Sequence, residues 1–480
     1  MSLFVLGSAS HVGKSVTVAA LCRCLVRRGI MVAPFKSQNM SLNSYVTPDG
    51  GEIGMAQAMQ AIAAKVTPNS DMNPILLKPK GDCISQVVLH GHPYKDIHIA
   101  EYYRETPELL IKALESFDRL ETAYGQVVVE GAGGAAELNL YDRDIANTQL
   151  AKALRIPIIL VADIERGGVF AQIYGTIKLL PADIRLLVKG IIINKFRGDP
   201  AIFAPGVKIL EELCGVKVMG IVPYFNIPLP SEDSLSLGDK KTKNAEVRIG
   251  VLRLPKISNF TDFELLEQHA AVDYVSCGAS LDVYDCVIIP GTKNTIDDLN
   301  VIVKTGTDRE IHLARSRGIP IIGICGGYQM LGKSLVDSGF ESDAGTYNGL
   351  GLLDCVTRFA SYEKNTFQVR RNACSVPPIL SAMGEVTGYE IHMGVTDSGS
   401  NREAFEGDGR VNADGLVFGT YLHGLFLNPS AVNALLSYLY AKKGIPFIPI
   451  PADRTDPYDA LADLFEEYVD MDAVVDLMTC

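Results

Sequence analysis

A cysteine set among glycines, Gly323-Ile324-Cys325-Gly326-Gly327, follows the apolar run Ile319 to Ile324 and precedes apolar residues at helical spacing, Tyr328, Leu331 and Leu335. A strand that turns sharply into a helix through G-x-C-x-G is the thiol version of a nucleophile elbow. Side chains at the flanking positions would collide with strand and helix, and the positive end of the helix dipole favours the thiolate, the reactive form. A second chemical motif stands at the N-terminus. Leu3 to Leu6 form a short apolar strand, Gly7-Ser-Ala-Ser-His-Val-Gly13-Lys14-Ser15 follows, and a helix starts near Val16. Strand, small-residue loop and helix start are the layout in which backbone N–H groups cradle phosphates. Gly7, Ser10 and Gly13 of the loop, with Lys14 toward the terminal phosphates and Ser15 on magnesium, make a candidate ATP site.

Acidic and amide groups at other strand ends fit the same crevice. Val127-Val-Val-Glu130 ends a strand with a carboxylate, the edge of a parallel sheet that faces ligand, so Glu130 is a candidate magnesium ligand. Asp49 and Glu52, in the turn-forming segment Thr47 to Gly54, compete for a second metal position, and Asp49 is taken with Ser15 and Glu130. Asn194, ending Ile191-Ile-Ile-Asn194-Lys195, is placed to hydrogen-bond a purine base; a simple strand-end turn role fits its spacing equally. His90, His92 and His98 lack the i, i+4 spacing of a helical metal site and are assigned to loops, to the surface or to ligand carboxylates.

These residues need scaffolds, and the pattern supplies two. Up to about residue 225, apolar runs at Leu3 to Gly7, Ile30 to Pro34, Val127 to Val129, Ile156 to Val161, Ile191 to Ile193 and Val218 to Val222 alternate with amphipathic stretches. Runs apolar on both faces, separated by helical spacing, describe a parallel sheet covered on either side. Residues 226 to 246 are rich in proline, serine and charge and read as a linker. Arg248 to Leu252, Val287 to Ile289, Ile319 to Ile324 and Leu416 to Leu422 then supply a second parallel sheet. The expected organisation is α/β in two domains, residues 1–228 and 247–480, joined by 229–246.

Composition narrows the setting. The 480 residues are 47% hydrophobic and 21% charged, enough for about two to four domains. No stretch of about 18 apolar residues and no secretory leader pattern occurs, so a cytoplasmic protein without a membrane partner is expected. The net charge of −12 argues against a nucleic-acid partner, which needs a basic face. The ten cysteines show no C-x-x-C pair, so neither a disulfide framework nor a zinc site is expected. Acidic residues concentrate in Asp453 to Asp476, where Tyr458, Leu461, Leu464, Phe465, Tyr468 and Val469 give helical spacing. That segment reads as a solvated terminal helix lying on the last domain.

The phosphate loop has five residues between its glycines where the ordinary pattern has four, and it resembles the dethiobiotin synthetase branch of P-loop proteins. Partition-type ATPases carry a second lysine at the position of Ala9, a departure that counts against a positioning ATPase. Longer segments are more specific: Phe35 to Asn43 (FKSQNMSLN), Glu52 to Gln57, Met72 to Pro79, Glu137 to Leu140, Asp163 to Ala171, Asn194 to Asp199, Glu232 to Leu235 and Gly419 to Gly424. On these the chain resembles the cobyric acid synthase family, glutamine-dependent amidases of cobalamin synthesis, along almost its whole length. A local departure is Gly133-Gly134-Ala135, where the family more often has Ser-Pro; Glu130 and Glu137 remain.

The resemblance implies a dethiobiotin-synthetase-like domain followed by a class I, flavodoxin-like glutamine amidotransferase domain. It implies ATP, Mg2+, L-glutamine and a corrinoid as its small-molecule ligands. The activity implied is amidation of the b, d, e and g carboxylates of adenosylcobyrinic acid a,c-diamide through acyl phosphates. Cys325 attacks the glutamine amide, His423 moves the proton, and the N–H groups of Gly291 and Gly326 are the oxyanion candidates. Class I relatives place a glutamate two residues after the histidine, where this chain has Leu425, so a Cys–His dyad with an unidentified orienting group is expected. Gln38, Asn39, Asn43, Gln57 and Lys78, with Asn73 and Lys80, are assigned to corrinoid recognition.

Two rivals stand beside this expectation. Cobyrinic acid a,c-diamide synthase has the same two-domain logic but amidates other carboxylates; Gln38-Asn39-Met40 and Met72 to Pro79 favour the first assignment. A nucleotide-switched regulator with an inactive amidotransferase domain is disfavoured by the intact Cys325 and His423 and by Ala9.

Overall fold

The computed structural model describes residues 1–81, 83–230, 243–361, 364–397, 399–451 and 456–479. The chain divides into two compact units, one of Met1–Ser41, Gly51–Glu232 and Thr455–Cys480, the other of Leu42–Gly50 and Asp233–Arg454. Most of the expected linker, 231–242, and the matched segment Glu232 to Leu235 lie outside the described residues.

In the first unit, apolar runs dictate a buried sheet. Its six strands are all parallel, in the order Lys217–Pro223, Val188–Phe196, Ile158–Asp163, Leu3–Gly7, Val127–Glu130, Ala33–Phe35. Alternate residues feed two cores. Val5, Val128, Ile159, Val161 and Ile192 pack with the helix Lys14–Arg27, while Phe4, Leu6, Val127, Val129, Ile158 and Leu160 pack on the opposite face. Chain order reverses at Leu3–Gly7, and the carboxyl ends around such a switch point form the ligand crevice of a doubly wound sheet. The strand expected at Ile30 to Pro34 begins only at Ala33, because the Ile30 N–H caps the Leu25 carbonyl at the end of the preceding helix. A second sheet, Gln38–Met40, Ile75–Gly81, Ile84–Leu89 and His92–His98, combines brief apolar runs, Ile75 to Leu77 and Val87 to Leu89, with polar and charged positions.

The terminal acidic helices, Pro457–Tyr468 and Met471–Thr479, belong to the first unit and not to the last domain, which corrects the expected 247–480 boundary. The reason lies in the phosphate-loop helix. Arg23, 1% exposed, donates to Asp456 at 2.8 Å and to Asp459 at 2.9 Å, and also to the carbonyls of Ile62 and Ala63. Arg27 pairs with Asp463 and Arg28 with Asp472. Tyr458, Leu461, Ala462, Phe465, Val474 and Met478 join Leu21, Cys22, Cys24 and Leu25 in one apolar cluster. Charge and apolar surface thus both match a basic helix that the sequence places more than half a chain away.

The second unit repeats the parallel-sheet logic: Ala271–Ser276, Arg248–Arg253, Cys286–Ile289, Ile321–Ile324 and Val417–Thr420 run parallel, with antiparallel Arg410–Val411 at the edge. The register sets Gly323 beside Gly419 and Ile324 beside Thr420, so the chain segments that follow these two strands emerge side by side. An antiparallel hairpin, Asn365–Asn372 with Glu385–His392, stands apart from that sheet. No helix among the described residues is long and apolar enough to cross a membrane.

Arg23→Ala removes the buried guanidinium and leaves the carbonyls of Ile62 and Ala63 without that donor. It is expected to destabilise the first unit by about 2 kcal/mol, read as an earlier unfolding transition in calorimetry.

Candidate functional site

In the first unit the phosphate loop closes on itself. Gly13 adopts φ 99°, and a Cβ there would meet the Asn194 amide nitrogen at 2.2 Å; Asn194 donates to the Val12 carbonyl at 2.9 Å. Asn194 therefore braces the loop through this bond. Lys14 folds back over Gly7, where a Cβ would lie 2.8 Å from its Nζ, and Nζ donates to the carbonyls of Ala9 and Gly133. Ser10 belongs to the same turn, its Oγ 3.8 Å from where a Cβ on Gly133 would stand. Gly133 and Gly134 thus lie directly against the loop.

Glu130 is the hub behind the loop. It is fully buried and accepts from Ser15 Oγ at 2.8 Å, Lys36 Nζ at 2.8 Å, Gln57 Nε2 at 3.3 Å and Gln60 Nε2 at 2.5 Å. A hydroxyl that gives its proton to a strand-end carboxylate keeps its lone pairs for a cation, so Ser15 and Glu130 fit magnesium. Lys36 and Gln60 were not among the expected site residues, although Lys36 lies inside the FKSQNMSLN segment. A second strand-end acid, Asp163, pairs with Lys195 at 2.8 Å, and Lys195 also donates to the His11 carbonyl of the loop.

Several expected ligand contacts have other partners. Asp49 lies in the second unit, where it accepts the Thr47 hydroxyl; the acid that meets Ser15 in the first unit is Glu130. Glu52, the alternative, is fully buried and ion-paired with Lys78. Asn39 donates to Gln57, which in turn donates to Glu130, and Gln38 accepts from Tyr102. Asn43 lies in the second unit and accepts from Thr261 at 3.1 Å. His98 caps the helix Ile99–Tyr124, and His90 meets Ser116 at 3.3 Å.

In the second unit Cys325 holds φ 50° and ψ −108°, the strained turn expected of the elbow. Its glycines are required by approach: a Cβ on Gly327 would lie 1.9 Å from the Ile289 carbonyl oxygen, and one on Gly323 2.7 Å from the Gly327 backbone. The Cys325 N–H donates to Thr420 O at 2.8 Å, which ties the elbow to the adjacent strand. His423 follows that strand, and its imidazole interacts electrostatically with Cys325. The structure also brings the oxyanion candidates together. A Cβ on Gly291 would touch His423 Cε1 at 2.7 Å, and one on Gly326 would lie 3.2 Å from the Thr292 nitrogen.

The orienting group is Asp262. Its Oδ2 lies 2.7 Å from His423 Nδ1, and its Oδ1 accepts the Gly424 N–H at 2.8 Å. Leu425, at the position of the missing glutamate, is buried in the apolar core. Burial disfavours the charged imidazole, but the Asp262 carboxylate, Cys325 and the hydrogen bond to Asp262 push His423 up to about 10. Asp262 is carried on a short turn of 3-10 helix, Phe260–Phe263, between two buried phenylalanines. An acid between two aromatic residues, Phe260 and Phe263, was the signal available in the sequence.

Residues 3–232 match the family model of the CobQ/CobB/MinD/ParA nucleotide binding domain, and residues 248–431 that of the CobB/CobQ-like glutamine amidotransferase domain. A relative in Methanoregula boonei, named probable cobyric acid synthase, is 73% identical, with all of both chains aligned. Relatives of the same name in Methanoculleus marisnigri and Methanosarcina mazei are 65% and 53% identical, covering 99% of this chain and 98% and 99% of theirs. The chain belongs to the cobyric acid synthase family. As a member it is a glutamine-dependent amidating ligase with a nucleotide-binding domain ahead of its amidotransferase domain.

Asp262→Asn is expected to lower kcat for glutamine hydrolysis about 100- to 10,000-fold, because an amide neither fixes the imidazole nor supports its charge. A steady-state glutaminase assay measures it. The raised His423 value also links stability to pH. The stabilisation from the Asp262–His423 pair is fully present below about pH 6.5 and is lost as pH rises through about 10. The melting temperature should fall across that window, with a shallower slope in Asp262→Asn.

Proposed function

We propose that the protein makes adenosylcobyric acid by amidating the b, d, e and g carboxylates of adenosylcobyrinic acid a,c-diamide, using ATP and ammonia drawn from glutamine. The observation that carries this is the pairing of two complete sets of groups in one chain: Lys14, Ser15 and Glu130 in one unit, Cys325, His423 and Asp262 in the other. A carboxylate is a poor electrophile, and phosphorylation makes it a good one. A substrate carboxylate oxygen attacks the γ-phosphorus of ATP, ADP leaves, and an acyl phosphate forms; Lys14 supports the charge on the transferred phosphoryl. Ser15 and Glu130 would hold magnesium, which when bound would neutralise phosphate charge. Ammonia then adds to the acyl carbon and phosphate departs, leaving the amide.

Ammonia comes from the second unit. Cys325 Sγ bonds to the glutamine side-chain carbonyl carbon while His423 holds the thiol proton, and the N–H groups of Gly291 and Gly326 receive the developing oxyanion. His423 passes that proton to the departing nitrogen, ammonia leaves, and water hydrolyses the glutamyl thioester to glutamate and free thiol.

Cys325→Ser is expected to abolish glutamine-dependent synthesis but to keep synthesis at high ammonium, whereas Lys14→Ala loses both. Mass spectrometry of the corrinoid product should count four added amides on the a,c-diamide. Formation of a and c amides from cobyrinic acid, or equal loss of both activities in Cys325→Ser, would overturn the proposal.

A further inference from the structure

The segment Leu42–Gly50 lies within the stretch matched to the nucleotide-binding family, yet it is part of the second unit. Its contacts there lead to all three members of the glutamine-hydrolysing triad. The Ser44 N–H donates to Asn259 Oδ1 at 3.0 Å, and Thr261 Oγ1 donates to Asn43 Oδ1 at 3.1 Å. Asn259 caps the turn Phe260–Phe263 from the left-handed region, at φ 51°, and Asp262 sits inside that turn. Two buried hydrogen bonds therefore anchor the side chains of Asn259 and Thr261, which lie just before the group that orients His423.

A second path runs through Tyr389. Its hydroxyl donates to Ser44 O at 3.0 Å, and its ring meets Tyr45 at a centroid distance of 6.0 Å. The same ring stacks on His423, with centroids 5.4 Å apart and planes 20° apart, and the Tyr389 and His423 backbones exchange hydrogen bonds of 3.1 and 2.8 Å. Val46 completes a small apolar cluster with Tyr389 and Ile391, and the Ile391 carbonyl accepts from Cys325 Sγ at 3.6 Å. Gln368 on the neighbouring strand bonds Tyr45 Oη and Val46 O, which fastens the segment along its length.

We propose that Leu42–Gly50 is a positioning element of the glutaminase, setting Asp262 through Asn43 and Ser44 and setting His423 through Tyr389. The inference rests on the assignment of Cys325 and His423 as the glutamine-hydrolysing pair. It gives Asn43 a role toward the triad in place of the expected role toward the corrinoid. It also makes glutamine hydrolysis depend on a loop encoded inside the nucleotide-binding half of the chain.

The test uses the full-length enzyme and the variants Asn43→Ala, Thr261→Val and Tyr389→Phe. A misplacement of the imidazole of a fraction of an ångström is expected to lower glutaminase kcat about tenfold in Asn43→Ala and about threefold in Tyr389→Phe, with the glutamine KM within about twofold of wild type. Asn43→Ala should retain ammonium-driven synthesis, and the low-field proton resonance of the Asp262–His423 hydrogen bond should move upfield. Thr261→Val breaks the same bond from its other end and gives the same readout if Asn43→Ala does not fold. Unchanged kcat and an unmoved resonance would overturn the proposal. So would intact glutaminase with lost ammonium-driven synthesis in Asn43→Ala, which would return Asn43 to the acceptor substrate. Full glutaminase activity in Cys325→Ser would instead remove the assignment beneath it.

Discussion

The glutaminase geometry depends on one close approach, that of the Gly326-Gly327 turn to the end of the strand Cys286–Ile289. Gly327 comes so near the Ile289 carbonyl that no side chain fits, and Gly326 is pressed against Thr292 in the same way. This fixes the strained backbone of Cys325, and a strained conformation persists only where its surroundings over-determine it. The same approach sets the 290–292 loop beside the nucleophile and against the imidazole. The elbow, the 290–292 loop and the imidazole are brought together by a packing distance.

The phosphate unit solves a different problem, that of collecting polar groups inside an apolar sheet. Glu130 ends a strand flanked by the apolar strands Leu3–Gly7 and Ala33–Phe35, and burial of a carboxylate there requires donors. Ser15 comes from the helix after the loop, Lys36 from the end of the edge strand, and Gln57 and Gln60 from the helix Met55–Ala63. One acid thereby ties the phosphate loop to three other parts of the unit. The hydroxyl of Ser15 is held in a single orientation as a result.

What could be read from the sequence follows from how locally each feature is determined. The elbow and the phosphate loop were legible because a strand, a glycine-bearing turn and a helix start are contiguous, and because strained turns restrict residue choice. The parallel strands were legible from apolar runs, with ends misplaced by two or three residues where caps such as the Ile30 N–H intervene. Asp262 was not, since its partner His423 lies 161 positions away and the familiar position after the histidine holds a leucine. Asn43, Asp49, Gln57 and Lys78 looked alike as polar residues of one segment, and only tertiary placement separates an acceptor from Thr261, a turn acid, a carboxylate donor and a buried ion pair. The acidic terminal helices were recognised as helices but given the wrong host, because the basic face they fit is formed by three arginines of the first helix.

Those helices make the second unit an insertion within the first. During synthesis, the residues that cover Arg23, Arg27 and Arg28 emerge only after the entire inserted unit, so the phosphate-loop helix passes that interval without its cover. The amidotransferase unit can complete its own sheet first, and domains tend to fold as units while the chain is being made. The unit that begins the chain is therefore the last to be closed.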